Sequence, residues 1–194
     1  MSSHAKGERV KKRKKGMGWG EKIFIAIVVL VVIWAAYSFS QPAPSSTTTK
    51  TSGAPDFTLP VVGPNGLTGQ KVSLSSFQGK VVLLEFMVPW CGHCQNMAPV
   101  LEQLYQQYGP QNVVFISVSG SWQGATANDA AQFIQKYHSS WTYVYDSSNG
   151  VFNTYGVGST PAFFIITKNG EIAGTYNGEV AYDTLAADLT RYNS

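Results

Sequence analysis

Two cysteines three residues apart, Cys91 and Cys94, stand where one hydrophobic pattern gives way to another. Upstream, Val81-Val82-Leu83-Leu84-Glu85-Phe86-Met87 is apolar at alternate and intervening positions alike, which is the pattern of a central strand buried between two helix layers. Downstream, Met97, Val100, Leu101, Leu104, Tyr105 and Tyr108 recur at spacings of three and four and so fall on one helical stripe, which Gly109-Pro110 ends. A buried strand running straight into an amphipathic helix implies an α/β arrangement with the cysteines at the turn.

The rest of the body repeats this grammar. Val113 to Val118 is a second buried strand, and Ala130, Phe133, Ile134 and Tyr137 form a second helical stripe with Thr126 as its cap. Strand, helix, strand, helix argues a parallel sheet. After Trp141 to Tyr145 and a short helical piece near Val151 to Tyr155, the runs 162–166 and 171–176 flank Lys168-Asn169-Gly170, a hairpin with an Asn-Gly turn. Tyr182 to Tyr192 closes the domain as a helix, and Gly63 to Gly69 reads as a turn-rich connection after Asp56-Phe57-Thr58-Leu59.

Charge divides the chain of 194 residues unevenly: residues 1–22 hold eight Lys/Arg against two Glu, and everything after Phe39 holds six against nine acids. Basic residues gathered in a terminal arm rather than on a folded face argue against nucleic-acid binding. Ile23 to Phe39 is a run of seventeen residues without a charge. With Lys11 to Lys15 directly upstream, it reads as a membrane span whose amino terminus stays in the cytoplasm. A cleavable signal ending at Ser38-Phe39-Ser40 is the competing reading, and either one exports the body. The expected organisation is a basic cytoplasmic tail (1–22), a single transmembrane helix (23–40), a Pro/Ser/Thr-rich tether (41–54) and one folded domain (55–194) on the outer face of the cell membrane.

Two cysteines in the whole chain exclude a multi-bridge scaffold, and three scattered histidines, His4, His93 and His138, leave a zinc site short of ligands. The pair is better placed for redox chemistry. At the start of a helix, the Cys91 sulfur faces unpaired amides and partial positive charge, which favour a thiolate. Cys94, one turn further on, is shielded and suits the resolving thiol. Gly92 leaves the approach open, and a charged His93 adds a cation beside the sulfurs, stabilising the reduced form and making a stronger oxidant. Glu85, a lone acid within a buried strand, is costly without a partner and suits proton relay to and from Cys94. Trp90, directly before Cys91, joins the candidate site. Thr160 and Pro161, before another apolar strand, are candidates to receive an extended peptide: a cis bond between them would leave the Thr160 backbone free to pair, and a trans proline at a strand start is the alternative. Pro99 removes one hydrogen bond from the predicted helix.

The stretch Glu85-Phe86 through Trp90-Cys91-Gly92-His93-Cys94 to Ala98-Pro99 resembles the active-site segment of the thioredoxin family, and the resemblance runs from about Ala54 to Tyr192. Ala54-Pro55-Asp56-Phe57-Thr58-Leu59 and the run 72–84 are similar to the membrane-tethered TlpA/ResA-type proteins and to the peroxiredoxins that share their domain. The resemblance implies a thioredoxin fold, a central mixed sheet flanked by helices. It also implies disulfide exchange by Cys91 and Cys94, assistance by Glu85, a cis Pro161 and no cofactor or metal. The implied partners are protein thiols and disulfides, served by a transmembrane redox partner. Gly92-His93 is similar to the dipeptide of protein disulfide isomerases, which leaves the direction of electron flow open. Two alternatives stand beside this reading: a peroxidase, although Val88 occupies the position where peroxiredoxins place Thr, and a copper-delivery factor in which the thiolates take Cu(I).

Overall fold

The structure, a computed structural model, describes residues 18–20, 23–24, 27–30 and 53–194. The chain divides into two units, Met1–Thr48 and Thr49–Ser194. In the first, Trp19, Gly20, Ile23, Phe24 and residues 27–30 are helical, and their side chains are exposed. The rest of the basic tail, of the expected span and of the tether, apart from Gly53 and Ala54, lies outside the described residues. Among the described residues, no helix is long and apolar enough to cross a membrane.

The second unit is built on a seven-stranded sheet of order β2-β1-β5-β4-β3-β6-β7. Its strands are β1 (Thr58–Gly63), β2 (Gly66–Ser73), β3 (Val82–Met87), β4 (Val114–Gly120), β5 (Thr142–Asp146), β6 (Ala162–Ile166) and β7 (Ile172–Asn177). Among the described residues four α-helices accompany them: α1 (Gly92–Tyr108), α2 (Ala127–Tyr137), α3 (Gly150–Thr154) and α4 (Tyr182–Asn193). β3, β4 and β5 run parallel, while β6 and β1 join them antiparallel, so the sheet is mixed. This is a thioredoxin-like α/β fold.

All six residues of β3 are buried, because both faces of the sheet are covered. Leu83, Met87, Phe115, Tyr143 and Phe163 pack with the apolar faces of α1, α2 and α4. Val82, Leu84, Phe86, Ile116 and Val144 fill the other face with Phe152 from α3. Phe86 meets Phe152 and Phe164 edge-on at centroid distances of 5.0 and 5.5 Å, an arrangement the ring quadrupoles favour.

Thr126 caps α2 as its sequence position suggested. Its hydroxyl accepts the Asp129 amide at 3.2 Å, while the Asp129 carboxylate accepts the Thr126 amide at 2.8 Å. Thr126→Ala is expected to destabilise the protein by about 1 kcal/mol, read as a lower urea midpoint at unchanged slope.

Two local expectations need correction. Residues 63–69 are not a plain connection, because Gly66–Ser73 pairs with β1 as a hairpin on the sheet edge. Most β2 side chains are exposed, so no alternation of burial marks it as a strand. In the β6–β7 hairpin only Gly170 of the Asn-Gly pair takes a positive φ, +79°. The turn is therefore longer than two residues, with a register shift between Ile165 and Ile166.

Candidate active site

β3 delivers the chain to one end of the sheet, and Val88-Pro89-Trp90 turns it into α1. The turn is tied by the Cys91 amide, which donates to the Val88 carbonyl at 3.1 Å, and by Gln95 Nε2, which donates to the Pro89 carbonyl at 3.1 Å. Cys91 is the N-cap of α1 and keeps extended backbone, with φ −70° and ψ 116°. Its sulfur consequently lies over the amides of the first turn.

The two sulfurs are both free and differ sharply in environment. Partial burial of Cys91 works against its ionisation. Hydrogen bonds from the Thr160 side chain, from the Cys94 thiol and from the amides of Cys94 and His93 outweigh that burial and lower its pKa. In the neutral form the Cys91 thiol donates to the Thr160 carbonyl at 3.3 Å. Cys94 has no exposed surface. Burial, then the Glu85 charge, then its hydrogen bond to Cys91 push the Cys94 thiol far above its ordinary range. One sulfur is thus prepared to attack, and the other holds its proton until a base removes it.

Glu85 is that base by position. It is 3% exposed, in the middle of β3 and on the face that Leu83 and Met87 present to α1. Burial raises its carboxyl to about 7, against the opposing effect of a hydrogen bond from Ser117. The acid is not the partnerless one the sequence suggested. Ser117 lies directly opposite on β4 and its hydroxyl donates to Glu85 Oε2 at 2.5 Å. Trp141 Nε1 in turn donates to Ser117 Oγ at 2.7 Å. Ser117 escaped the sequence analysis, although a fully buried serine within the apolar run 113–118 is the same kind of interruption that Glu85 makes in β3.

Thr160-Pro161 is cis and leads into β6, antiparallel to β3, and the Thr160 carbonyl meets the Cys91 sulfur. Apart from its chain neighbours and its own helix backbone, Gly92 has no heavy atom within 4 Å of where a Cβ would stand. Trp90 is 44% exposed and borders an open groove of about 230 Å³ shared with Gln95, Gln132, Lys136 and Tyr137.

His93 departs from expectation. Its Nδ1 contacts Glu179 Oε1 at 2.7 Å, and Asn96 Nδ2 donates to the same oxygen at 2.8 Å. These two hydrogen bonds, Asn96 first, hold the Glu179 carboxyl below its usual range. A charged His93 is therefore paired with a carboxylate from the loop between β7 and α4. Nothing in the local sequence marks Glu179, which lies 86 residues from His93.

Residues 51–175 match the AhpC/TSA family. The chain is 29% identical over 174 residues to the thiol-disulfide oxidoreductase ResA of Geobacillus thermodenitrificans, covering 87% of this chain and 95% of the relative. It is 31% identical over 138 residues to ResA of Geobacillus kaustophilus, covering 71% and 75%. Among solved structures it superposes on a secreted Mycobacterium tuberculosis disulfide oxidoreductase homologous to Escherichia coli DsbE, with a TM-score of 0.61 and 25% identity over 70% of this chain and 95% of the other.

Proposed function

Because the chain belongs to the AhpC/TSA family and is a thioredoxin-like thiol-disulfide oxidoreductase, we propose that Cys91 and Cys94 are its redox pair and exchange disulfides with protein partners outside the cytoplasm. The observation that carries this reading is the opposed character of the two sulfurs, Cys91 lowered and partly exposed, Cys94 raised and buried.

In the reducing direction the Cys91 thiolate attacks a partner disulfide, forming a mixed disulfide and releasing one partner thiolate. Cys94 then passes its proton to Glu85 and its sulfur attacks Cys91. The Cys91–Cys94 bond forms, the bond from Cys91 to the partner breaks, and the second partner sulfur leaves as a thiolate. The oxidising direction is the same sequence reversed. Thr160 and Pro161 flank Cys91 where an extended partner segment would lie, with Gly92 and Trp90 forming the open approach.

The same reading anchors the domain by one helix spanning residues 23–40, with a transmembrane protein exchanging electrons with it. Three features support this: the uncharged run from Ile23 to Phe39, the basic cluster before it, and the exposed helical side chains of Ile23, Phe24, Ile27 and Leu30. The export of a similar oxidoreductase in Mycobacterium tuberculosis fits as well.

The deciding experiment equilibrates the protein in glutathione or dithiothreitol buffers, alkylates it and counts free thiols. Cys91 and Cys94 are expected to be lost together as one two-electron couple, and no disulfide at any poise overturns the assignment. Since the Glu179 carboxylate stands beside His93 at the edge of the site, the midpoint is expected below the ~−180 mV of protein disulfide isomerase and toward the ~−270 mV of thioredoxin. Glu179→Gln removes that negative charge and raises the potential on the order of 10 mV, an effect that high salt removes because the pair is exposed.

A further inference from the structure

Cys94 is fully buried and Glu85 nearly so, and a partner joined to Cys91 covers the face through which either could meet water. The proton that Glu85 accepts needs another way out.

Glu85, Ser117 and Tyr143 are Cα partners across β3, β4 and β5. Neighbouring strands stand about 4.8 Å apart, a gap that polar side chains on one face can bridge. Ser117 Oγ donates to Glu85 at 2.5 Å, with the Trp141 indole holding its other side at 2.7 Å. Tyr143 lies beside them and donates from its phenol to Ser139 Oγ at 3.1 Å. Burial first, then the Glu85 charge, keeps that phenol well above its ordinary pKa despite the hydrogen bond to Ser139, so it remains protonated with a hydrogen to hand on, and its pairing with Ser117 across β4 and β5 sets it next to that serine in the row. Ser139 is half-buried and, with Ser140, Trp141 and Tyr143, lines an open cleft of about 520 Å³. That cleft also takes in Val114 and Thr142, where β4 and β5 begin, at the opposite end of the parallel strands from Cys91. The titratable groups facing the row are Cys94, Glu102 and Tyr105 from α1, and Lys80 also lines the cleft. Glu102 sits at the outer end, accepting the Ser140 amide and hydroxyl at 3.1 Å each.

We propose that Glu85, Ser117, Tyr143 and Ser139 form a proton outlet that carries the Cys94 proton across one face of the sheet to the cleft at the far end of its parallel strands. This rests on the reading of Glu85 as the acceptor of that proton. The Glu85 carboxyl passes its proton to the Ser117 oxygen as the Ser117 hydrogen moves to the Tyr143 oxygen, that of Tyr143 to Ser139 and that of Ser139 to cleft water. One proton enters and one leaves, so the row ends neutral and Glu85 is again a carboxylate. Trp141 carries no proton and acts as a positioning residue for Ser117.

The test uses the full chain with Cys94→Ser and Cys91 held in a mixed disulfide with a single-cysteine unfolded polypeptide, which closes the front. The protonated Glu85 carboxyl is followed by its infrared carbonyl band, identified by its loss in Glu85→Gln, after a pH jump across 7. Tyr143→Phe and, at the more tolerant half-buried position, Ser139→Ala are each expected to slow proton exchange roughly tenfold or more. The titration midpoint stays in place, whereas a merely structural role would move the midpoint and leave the rate. Exchange within twofold of the parent in either variant overturns the outlet. The premise is tested separately: if Glu85→Gln in the chain that retains Cys94 resolves mixed disulfides as fast as the wild type, Glu85 is not the acceptor and the outlet falls with it.

Discussion

Cys91→Ser is expected to abolish disulfide exchange, by ~10³-fold or more, while Cys94→Ser keeps the first attack and stops at the mixed disulfide. The asymmetry follows from placement. Only Cys91 is partly exposed and held toward the thiolate by the amides at the start of α1. Cys94 is enclosed, with its proton retained by burial and by the Glu85 charge, and no partner sulfur reaches it directly. Incubation of each variant with a disulfide-containing protein, followed by non-reducing electrophoresis and mass spectrometry, reads the outcome. Adducts should accumulate on Cys91 in Cys94→Ser and be absent in Cys91→Ser. The reverse pattern would exchange the roles of the two sulfurs, and adducts on neither would remove the pair from the reaction.

Glu85→Gln is expected to slow resolution of the mixed disulfide by roughly 10²-fold at neutral pH, since the Cys94 thiol loses its positioned base. In the wild type this rate rises as pH passes about 7, where the Glu85 carboxyl ionises and can accept a proton. That inflection should vanish in the variant. Stability carries the same signature with the opposite sign. The folded carboxyl titrates at about 7 against 4.5 for the unfolded chain, so between those values the folded state holds the extra proton. Stability from this group is complete below about 4.5 and is lost as pH rises to about 7. Relative to Glu85→Gln, the wild type is therefore expected to lose about 3 kcal/mol across that window, at ~1.4 kcal/mol per pH unit. Urea unfolding of both proteins at each end of the range measures it, and parallel profiles would mean that Glu85 is not held in the protonated form by burial.

Much of the fold was readable because its signals are local. β3, α1, the cap at Thr126 and the short helix near residue 151 each declare themselves within a few neighbouring residues, through hydrophobic period or turn chemistry. The β1–β2 hairpin did not, since an edge strand with exposed side chains shows no period to read. The candidate site divides in the same way. Cys91, Cys94, Glu85 and Pro161 stand out as residue types that conflict with or punctuate their surroundings. Ser117, Trp141 and Glu179 are ordinary residues whose importance lies in what they touch.

The sequence alone therefore determined that a buried strand would place a cysteine pair at a helix start, because strand burial, helical period and the orphan amides of a first turn are properties of adjacent residues. Only the tertiary structure decided what surrounds that pair. The Ser117–Glu85 contact joins residues 32 apart and the Glu179–His93 contact residues 86 apart. Strand order, parallel register and the path of the loop before α4 choose those partners. They are set by the packing of the whole sheet and not by any stretch of the chain.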